Sequence, residues 1–184
     1  MVSGVSIRVA TLDDVPTLSR LITDSARALS RGFYSDAEAE SAIRYVFGVD
    51  TALVNDQTYF VAHLDGKLAG CGGWSRRNTL YGGDQRPVGT ASFLDPATEP
   101  ARIRAFFVAP SAARRGVGRA LLEACTDAAR RAGFRSLTLM ATLPGVPFYS
   151  ALGFQADEDV VDELPDGTML KFVRMSKNIV SPDA

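Results

Sequence analysis

Six consecutive residues, Arg114-Arg115-Gly116-Val117-Gly118-Arg119, have the types and spacing to hold a phosphate group. Two glycines one residue apart let the backbone turn tightly and aim several N–H groups in one direction. A helix starting there adds the positive end of its dipole. A diphosphate could be held in this way without a carboxylate, a metal or a histidine. The same glycines could serve only close packing at a helix start, so the motif alone leaves both readings open. Two other glycine-loop chemistries fail on particular residues. A Walker loop needs Lys and then Ser or Thr after its last glycine, whereas Arg119 and Ala120 follow Gly118. A dinucleotide fingerprint needs a small residue where Leu121 stands.

Other reactive side chains are sparse. Cys71 and Cys125 lie far apart with no Cys-x-x-Cys or histidine-rich spacing, so they read as buried thiols of a reducing compartment. His63 is the only histidine and stands beside neither cysteine in any recognisable motif, which argues against a covalent acyl-enzyme and offers no metal site.

The glycine turn has to be positioned by its neighbours. Ala101 to Pro110 is β-branched and aromatic and ends in proline, which predicts a central strand feeding the turn. Downstream, Leu121, Leu122, Cys125, Ala128 and Ala129 recur at helical spacing, and Gly133 stops that helix after Arg130 and Arg131. A second strand spans Ser136 to Ala141, and a short helix then carries Phe148-Tyr149 ahead of Leu152-Gly153-Phe154.

Towards the N-terminus, Val5 to Val9 alternates as a strand, and Thr11 to Asp14 starts a helix running to about Leu29. Ser35-Asp36-Ala37-Glu38 caps a second helix ending near Phe47 and Gly48, and a further helical turn begins at Asp50. Tyr59–Leu64, Asp65-Gly66 and Lys67–Trp74 form the strongest hairpin signal. Arg76 to Pro100, rich in Gly, Asp and Pro, predicts a long functional loop. Phe154 to about Leu164 and Met169 to Met175 are predicted strands around a Pro165–Thr168 turn. Together these segments predict a mixed α/β sheet of about seven strands with both faces covered.

The 184 residues suit one domain, 1–184, with a single core. A net charge of −1 gives no general attraction to nucleic acid or to an anionic membrane. No apolar run approaches the roughly 20 residues of a spanning helix, and Met1 to Ala10 lacks the pattern of a signal peptide, so the expected location is cytoplasmic.

The order of strand, glycine turn, helix, strand and short Phe-Tyr helix resembles the GNAT acetyltransferase superfamily. The resemblance extends over most of the chain and is specific from Ile103 to Phe154. One departure stands out: the family's turn begins with Gln or Arg, and here Ala113 occupies that place, a change that bears on cofactor affinity rather than on type of activity. The resemblance implies a mostly antiparallel twisted sheet with a splayed central strand pair, and acetyl-CoA as cosubstrate. Its pantetheine arm would lie along the backbone of Phe106, Phe107 and Val108, with Thr142 and Phe148 nearby. Its diphosphate would lie on Arg114, Arg115, Gly116, Val117, Gly118 and Arg119.

By the same resemblance, Tyr149 is the acid that protonates the departing thiolate. Phe33, Tyr34 and Trp74, with Ser75, Arg76, Arg77 and Tyr81, are candidate walls for the acceptor. Many relatives carry a glutamate base where this chain has Arg102, so a base cannot be carried over. His63, Asp84, Asp95, Glu99, Asp162 and Glu163 are candidates, as is a water chain with no dedicated base. The implied reaction is acetyl transfer to a primary amine of a small molecule or peptide, with no metal, nucleic-acid or membrane partner and a homodimer left open. The rival is a non-catalytic acyl-CoA-binding module on the same fold.

Overall fold

The computed structural model describes residues 4–86 and 91–180. Seven strands form one sheet: β1 (Val5–Val9), β2 (Tyr59–Leu64), β3 (Lys67–Ser75), β4 (Ala101–Val108), β5 (Ser136–Thr142), β6 (Gln155–Glu163) and β7 (Met169–Asn178). Their spatial order is β1-β2-β3-β4-β5-β7-β6. Every pairing is antiparallel except the central one, β4 with β5. The β2–β3 turn is Asp65-Gly66, at φ 51° and 78°, the left-handed pair that a two-residue hairpin requires.

Helices cover both faces. On one face α1 (Val15–Leu29) buries Leu18, Leu21, Ile22 and Ala26, spaced three and four apart, against Tyr59, Val61, Cys71 and Phe172 of the sheet. With it lie α2 (Asp36–Tyr45) and α3 (Thr51–Asn55). Ser35 starts α2 by a reciprocal capping box: its hydroxyl accepts the Glu38 N–H and its own N–H donates to the Glu38 carboxylate. This helix ends two residues sooner than its sequence predicts, because Val46 leaves helical geometry at φ −129° and Phe47 turns in against Phe107. On the other face α4 (Val117–Arg131) and α5 (Val146–Ala151) pack over Ile103, Leu137, Leu139 and Met175. Burying a leucine or isoleucine such as Leu18, Ile22 or Leu121 contributes about 1.5–3 kcal/mol each.

The expected long loop is present: between β3 and β4 the described residues contain no helix or strand, only the isolated bridge Arg77–Phe93. Strand β7 runs to Asn178, past the predicted end at Met175, because its far half pairs with Ser136 to Leu139. Among the described residues no helix is long and apolar enough to cross a membrane.

One irregularity shapes the centre of the sheet. Cys71 pairs with Phe107 and Gly73 with Arg104, so Ala105 and Phe106 together stand opposite the single residue Gly72. This is a β-bulge, and it bends the strand that carries it. Ala105 adopts φ +51°, left-handed for a residue with a Cβ. The buried Tyr59 hydroxyl donates to the Ala105 carbonyl at 2.9 Å and pins that conformation. Tyr59→Phe is therefore expected to lower unfolding stability by about 1–2 kcal/mol, read as a lower urea midpoint at unchanged slope. A variant as stable as the parent would mean that the bulge holds without this bond.

Candidate functional site

Strands β4 and β5 pair only at Ala101–Leu137 and Arg102–Thr138, and beyond the second pair they part. From the end of β4 the chain makes a short 3-10 turn at Pro110–Ala112, passes Arg114 at φ +61° and Gly116 at φ +86°, and enters α4. The first intrahelical bond there is Ala120 N–H to the Gly116 carbonyl at 3.0 Å, which leaves the preceding N–H groups of the turn without a helical acceptor. A Cβ added at Gly116 would meet nothing within 4 Å, so space lies open beside these donors. Arg114, Arg115 and Arg119 are exposed around them, with Arg115 paired to Asp65 of the hairpin turn at 3.2 Å. Val117 is buried and contributes backbone only. A diphosphate fits this donor set.

Gly118 has a different role. A Cβ there would stand 3.0 Å from the Phe148 ring, so its absence lets α5 approach the start of α4. Phe148 packs edge-on to Tyr149 at 5.0 Å, and Tyr149 meets Phe106 of β4 at 6.5 Å and Phe154 at 5.6 Å. Tyr149 is thus carried across from β5 to the strand it has left. Burial pushes its phenol well above the ordinary tyrosine range, which keeps it protonated at neutral pH. Phe107 points to the opposite face, against Phe47 at 5.6 Å. Val108 packs with the buried cluster of Val117 and Leu121. Thr142 stands at the end of β5, and a Cβ on Gly145 would lie 3.2 Å from its hydroxyl.

The expected acceptor walls are not all in place. Trp74 is a core residue, packed edge-on to Phe134 at 5.9 Å under the far end of α4, so its assignment to the acceptor is withdrawn. It pairs with Ile103, well before the bulge, and its ring faces α4. Ser75 is also buried and accepts the Arg77 N–H. Arg77 binds Asp56 at 2.7 Å and stacks with Arg76 on Phe93, which removes this pair from acceptor recognition. Tyr34 is a brace: its hydroxyl donates to the Lys171 carbonyl at 2.5 Å and accepts from Leu143 N–H at 3.0 Å, tying β7 to the segment before α5. Burial pushes this phenol up to about 12. Phe33 beside it is exposed.

Two charged residues missed by sequence reasoning stand beside the bulge. Arg104 on β4 is buried, and its guanidinium donates to Asp50 at 2.7 Å, the Gly82 carbonyl at 2.6 Å and the Thr79 carbonyl at 3.1 Å. Asp50 caps α3 through the Ala52 N–H, and burial raises its carboxyl above the ordinary range against the lowering effect of Arg104. Both line a cavity of about 230 Å³ with Tyr81, Asp84 and Arg86. A capping Asp is visible in sequence, but its partner lies 54 residues away.

Of the candidate bases, only Asp84 borders that cavity, where it accepts the Thr51 N–H at 2.8 Å and its hydroxyl at 3.0 Å. Asp162 is paired with Arg86. Asp95 caps Ala97 and Thr98, and Glu99 accepts the Asp95 N–H. His63 lies in β2 opposite Ser6 and Leu68, away from the parting strands, and Glu163 ends β6. Among the described residues no group of three or more His, Cys, Asp or Glu could hold a metal ion.

Comparison with known proteins bears on the family and the fold. The family model described as the acetyltransferase (GNAT) family matches residues 21–154. A GCN5-related N-acetyltransferase from Rhodopseudomonas palustris is similar in structure at a TM-score of 0.71 and 19% identity, over 97% of this chain and 98% of that one. The PaiA N-acetyltransferase of Thermoplasma acidophilum, solved in complex with coenzyme A, gives a TM-score of 0.62 at 18% identity, over 95% and 98%. YncA of Salmonella typhimurium, solved with its cofactor acetyl-CoA, gives 0.62 at 18% identity, over 99% and 98%. No curated protein matches.

The cysteines stand apart from these groups. Cys71 and Cys125 are both buried, and desolvation pushes the Cys71 thiol up to about 12 and Cys125 upward as well. Since only the thiolate reacts, the native protein at pH 8 is expected to show no fast thiol toward a chromogenic disulfide reagent, and two after denaturation. A fast native thiol would reopen a covalent route.

Proposed function

The chain belongs to the GNAT acetyltransferase family, and on that premise we propose that it moves an acetyl group from acetyl-CoA to a primary amine by direct attack within a ternary complex. Residues 1–184 act in this reading as one domain of a reducing, cytoplasmic compartment. The observation that carries it is the parting of β4 from β5 between an anion-binding turn on one side and a buried tyrosine on the other. Acetyl-CoA supplies an activated acyl group on a thiol leaving group. The residues supply position and charge.

The open N–H groups at the start of α4, with Arg114 and Arg119, bind the diphosphate. Phe106, Phe107 and Val108, paired to β3 on one edge only, offer the other edge of their backbone to the pantetheine arm. Thr142 and Phe148 flank that arm. No hydrogen bond engages the Tyr149 hydroxyl among the described residues, so its proton remains available to sulfur as charge develops there. Raised by burial, the phenol shares its proton with the leaving thiolate and does not ionise beforehand. Asp50 and Asp84 give the acceptor's ammonium a carboxylate-bordered approach, from which its proton leaves directly or through water. Arg102 in place of a strand carboxylate favours the second reading, an acyl-CoA-binding module. Acetyl-CoA binding with no thiol release across a broad amine panel would support it.

Two experiments separate the roles. Asp and Asn both tolerate the left-handed geometry of Gly116 and differ in charge. Gly116→Asp is expected to abolish the rise in melting temperature that acetyl-CoA produces, while Gly116→Asn keeps most of it. Equal shifts in both variants would move the diphosphate elsewhere. Tyr149→Phe keeps the ring in its aromatic cluster and is expected to lower kcat about 10²–10⁴-fold with acetyl-CoA affinity nearly intact. Full activity would leave Tyr149 a packing residue.

A further inference from the structure

Short of the point where β4 and β5 part, the sheet face turned away from α4 carries an open cleft of about 780 Å³. Its walls hold four cations, Arg102, Arg135, Arg174 and Lys177, against one carboxylate, Asp157. Lys177 is turned to the other face, where its ammonium donates to the Leu152 carbonyl at 2.7 Å. Asp157 accepts from the Ser176 hydroxyl at 2.9 Å. Arg174 pairs with Glu158 at 3.2 Å, with both side chains exposed, a contact of little strength in water. Among the described residues neither Arg102 nor Arg135 has an ion-pair partner. Among the described residues the buried Nε of Arg102 has no partner, and the guanidinium makes one long bond, from Nη1 to the Pro100 carbonyl at 3.4 Å.

This arrangement is unfavourable as it stands. Burial opposes the charge on Arg102 most, the Glu99 carboxylate favours it in part without an ion-pair contact, and the Arg174 guanidinium opposes it further. Like charges aimed at one space repel unless an anion stands between them. A second copy of the same face would only bring more guanidinium groups together, since a two-fold contact sets each patch against its twin.

The neighbouring cavity is bordered by two carboxylates, Asp50 and Asp84, and by two guanidiniums, Arg86 and Arg104. Leu80 lines the cleft and Tyr81 the cavity, and Arg102 lines the cleft while Arg104 lines the cavity. Two residues along a strand is about 7 Å on one face. In the cavity Asp50 is matched by Arg104 and Arg86 by Asp162, while Asp84 has no cation partner among the described residues. Among the described residues the cavity beside the bulge thus leaves a carboxylate, Asp84, without an ion-pair partner, and the cleft a short step away leaves two guanidiniums, Arg102 and Arg135.

We propose that the cleft holds the acid group, a carboxylate or a phosphate, of the amine acceptor, on Arg102, Arg135 and Arg174. The inference rests on the acetyl-transfer reading and narrows it: the acceptor is an amine that also carries an acid, with the amine delivered past Asp84 and Asp50 to the bulge. A plain alkyl amine would leave the guanidiniums unanswered.

The test pairs acidic amines with neutral counterparts, glutamate with glutamine and phosphoethanolamine with ethanolamine, in a thiol-release assay on the full chain. The acidic member of one pair is expected to lead by tenfold or more in kcat/KM, and the pair in which it does so tells carboxylate from phosphate. In Arg135→Ala and Arg102→Ala that ratio is expected to fall towards one, through KM. Arg135 is exposed, so its variant keeps the test open if the Arg102 variant fails to fold. Neutral amines used as well as acidic ones, with no effect of either variant on the ratio, would overturn the proposal. If no amine is acetylated, the transfer reading fails, and citrate or inorganic phosphate then decides on the cleft alone. Stabilisation of the parent by either anion, lost in Arg135→Ala, keeps the anion site, and its absence ends the proposal.

Discussion

A single extra residue in β4 is the constraint on which the rest of the site depends. Opposite Ala105 and Phe106 the partner strand offers only Gly72, and a Cβ there would overlap the Phe106 ring. The glycine makes room, Phe106 takes it, and Ala105 absorbs the misfit at φ +51°. Left-handed geometry costs a residue with a Cβ roughly 1–2 kcal/mol, so it persists only where its surroundings fix it. The Tyr59 hydroxyl does so from beneath, out of a wholly buried ring. Beyond the bulge β4 keeps its bonds to β3 but has left β5, so strand N–H and C=O groups face a gap instead of a neighbour. Backbone polar groups do not stay unpaired in a protein interior. An extended ligand entering the gap would answer them as an added strand does.

The two sides of that gap solve different electrostatic problems. On the α4 side the donors are backbone N–H groups and exposed arginines, suited to a doubly charged group that stays close to water. On the opposite side Arg104 and Asp50 are set into a cavity and paired, where the lower dielectric makes each charge count for more. Between them lies an apolar wall of Phe106, Phe148, Tyr149 and Phe154. Tyr149 is the one member of that wall with a proton to give. In such surroundings a phenol is held neutral.

The elements of this fold were legible in the sequence because their signals are local. Ser35 and Glu38 are three residues apart, Asp65-Gly66 spans one turn, and Gly116 opens its helix within the same run of six residues that carries the arginines. The residues that shape the face turned away from α4 were not legible because their partners are distant. Arg104 and Asp50 are separated by 54 positions, Tyr34 reaches Lys171 and Leu143, and Arg102 meets Arg174 only across β5. Trp74 misled for a related reason. An aromatic at a strand end serves equally as a wall or as core, and what decides is Phe134, sixty residues on in sequence and at the end of a helix. Arg76-Arg77 looked like a basic patch, yet one of the pair was already matched by Asp56.

Three consecutive residues join the two sides. Arg104 points to the face turned away from α4 and holds the loop after β3 at Thr79 and Gly82 while binding Asp50. Ala105 carries the bulge, and Phe106 points to the opposite face against Tyr149. Each is fixed by a contact of a different kind: a buried ion pair, a hydrogen bond to a carbonyl, an aromatic edge. A shift in any one moves the backbone of the other two, since they are bonded neighbours on one strand. A guanidinium buried for its own sake is a poor investment in stability, because desolvation offsets much of what the pair gains. Its use here is positional. Arg104 fixes where the cavity bordered by Asp50 and Asp84 lies relative to the bulge, and so relative to the hydroxyl of Tyr149.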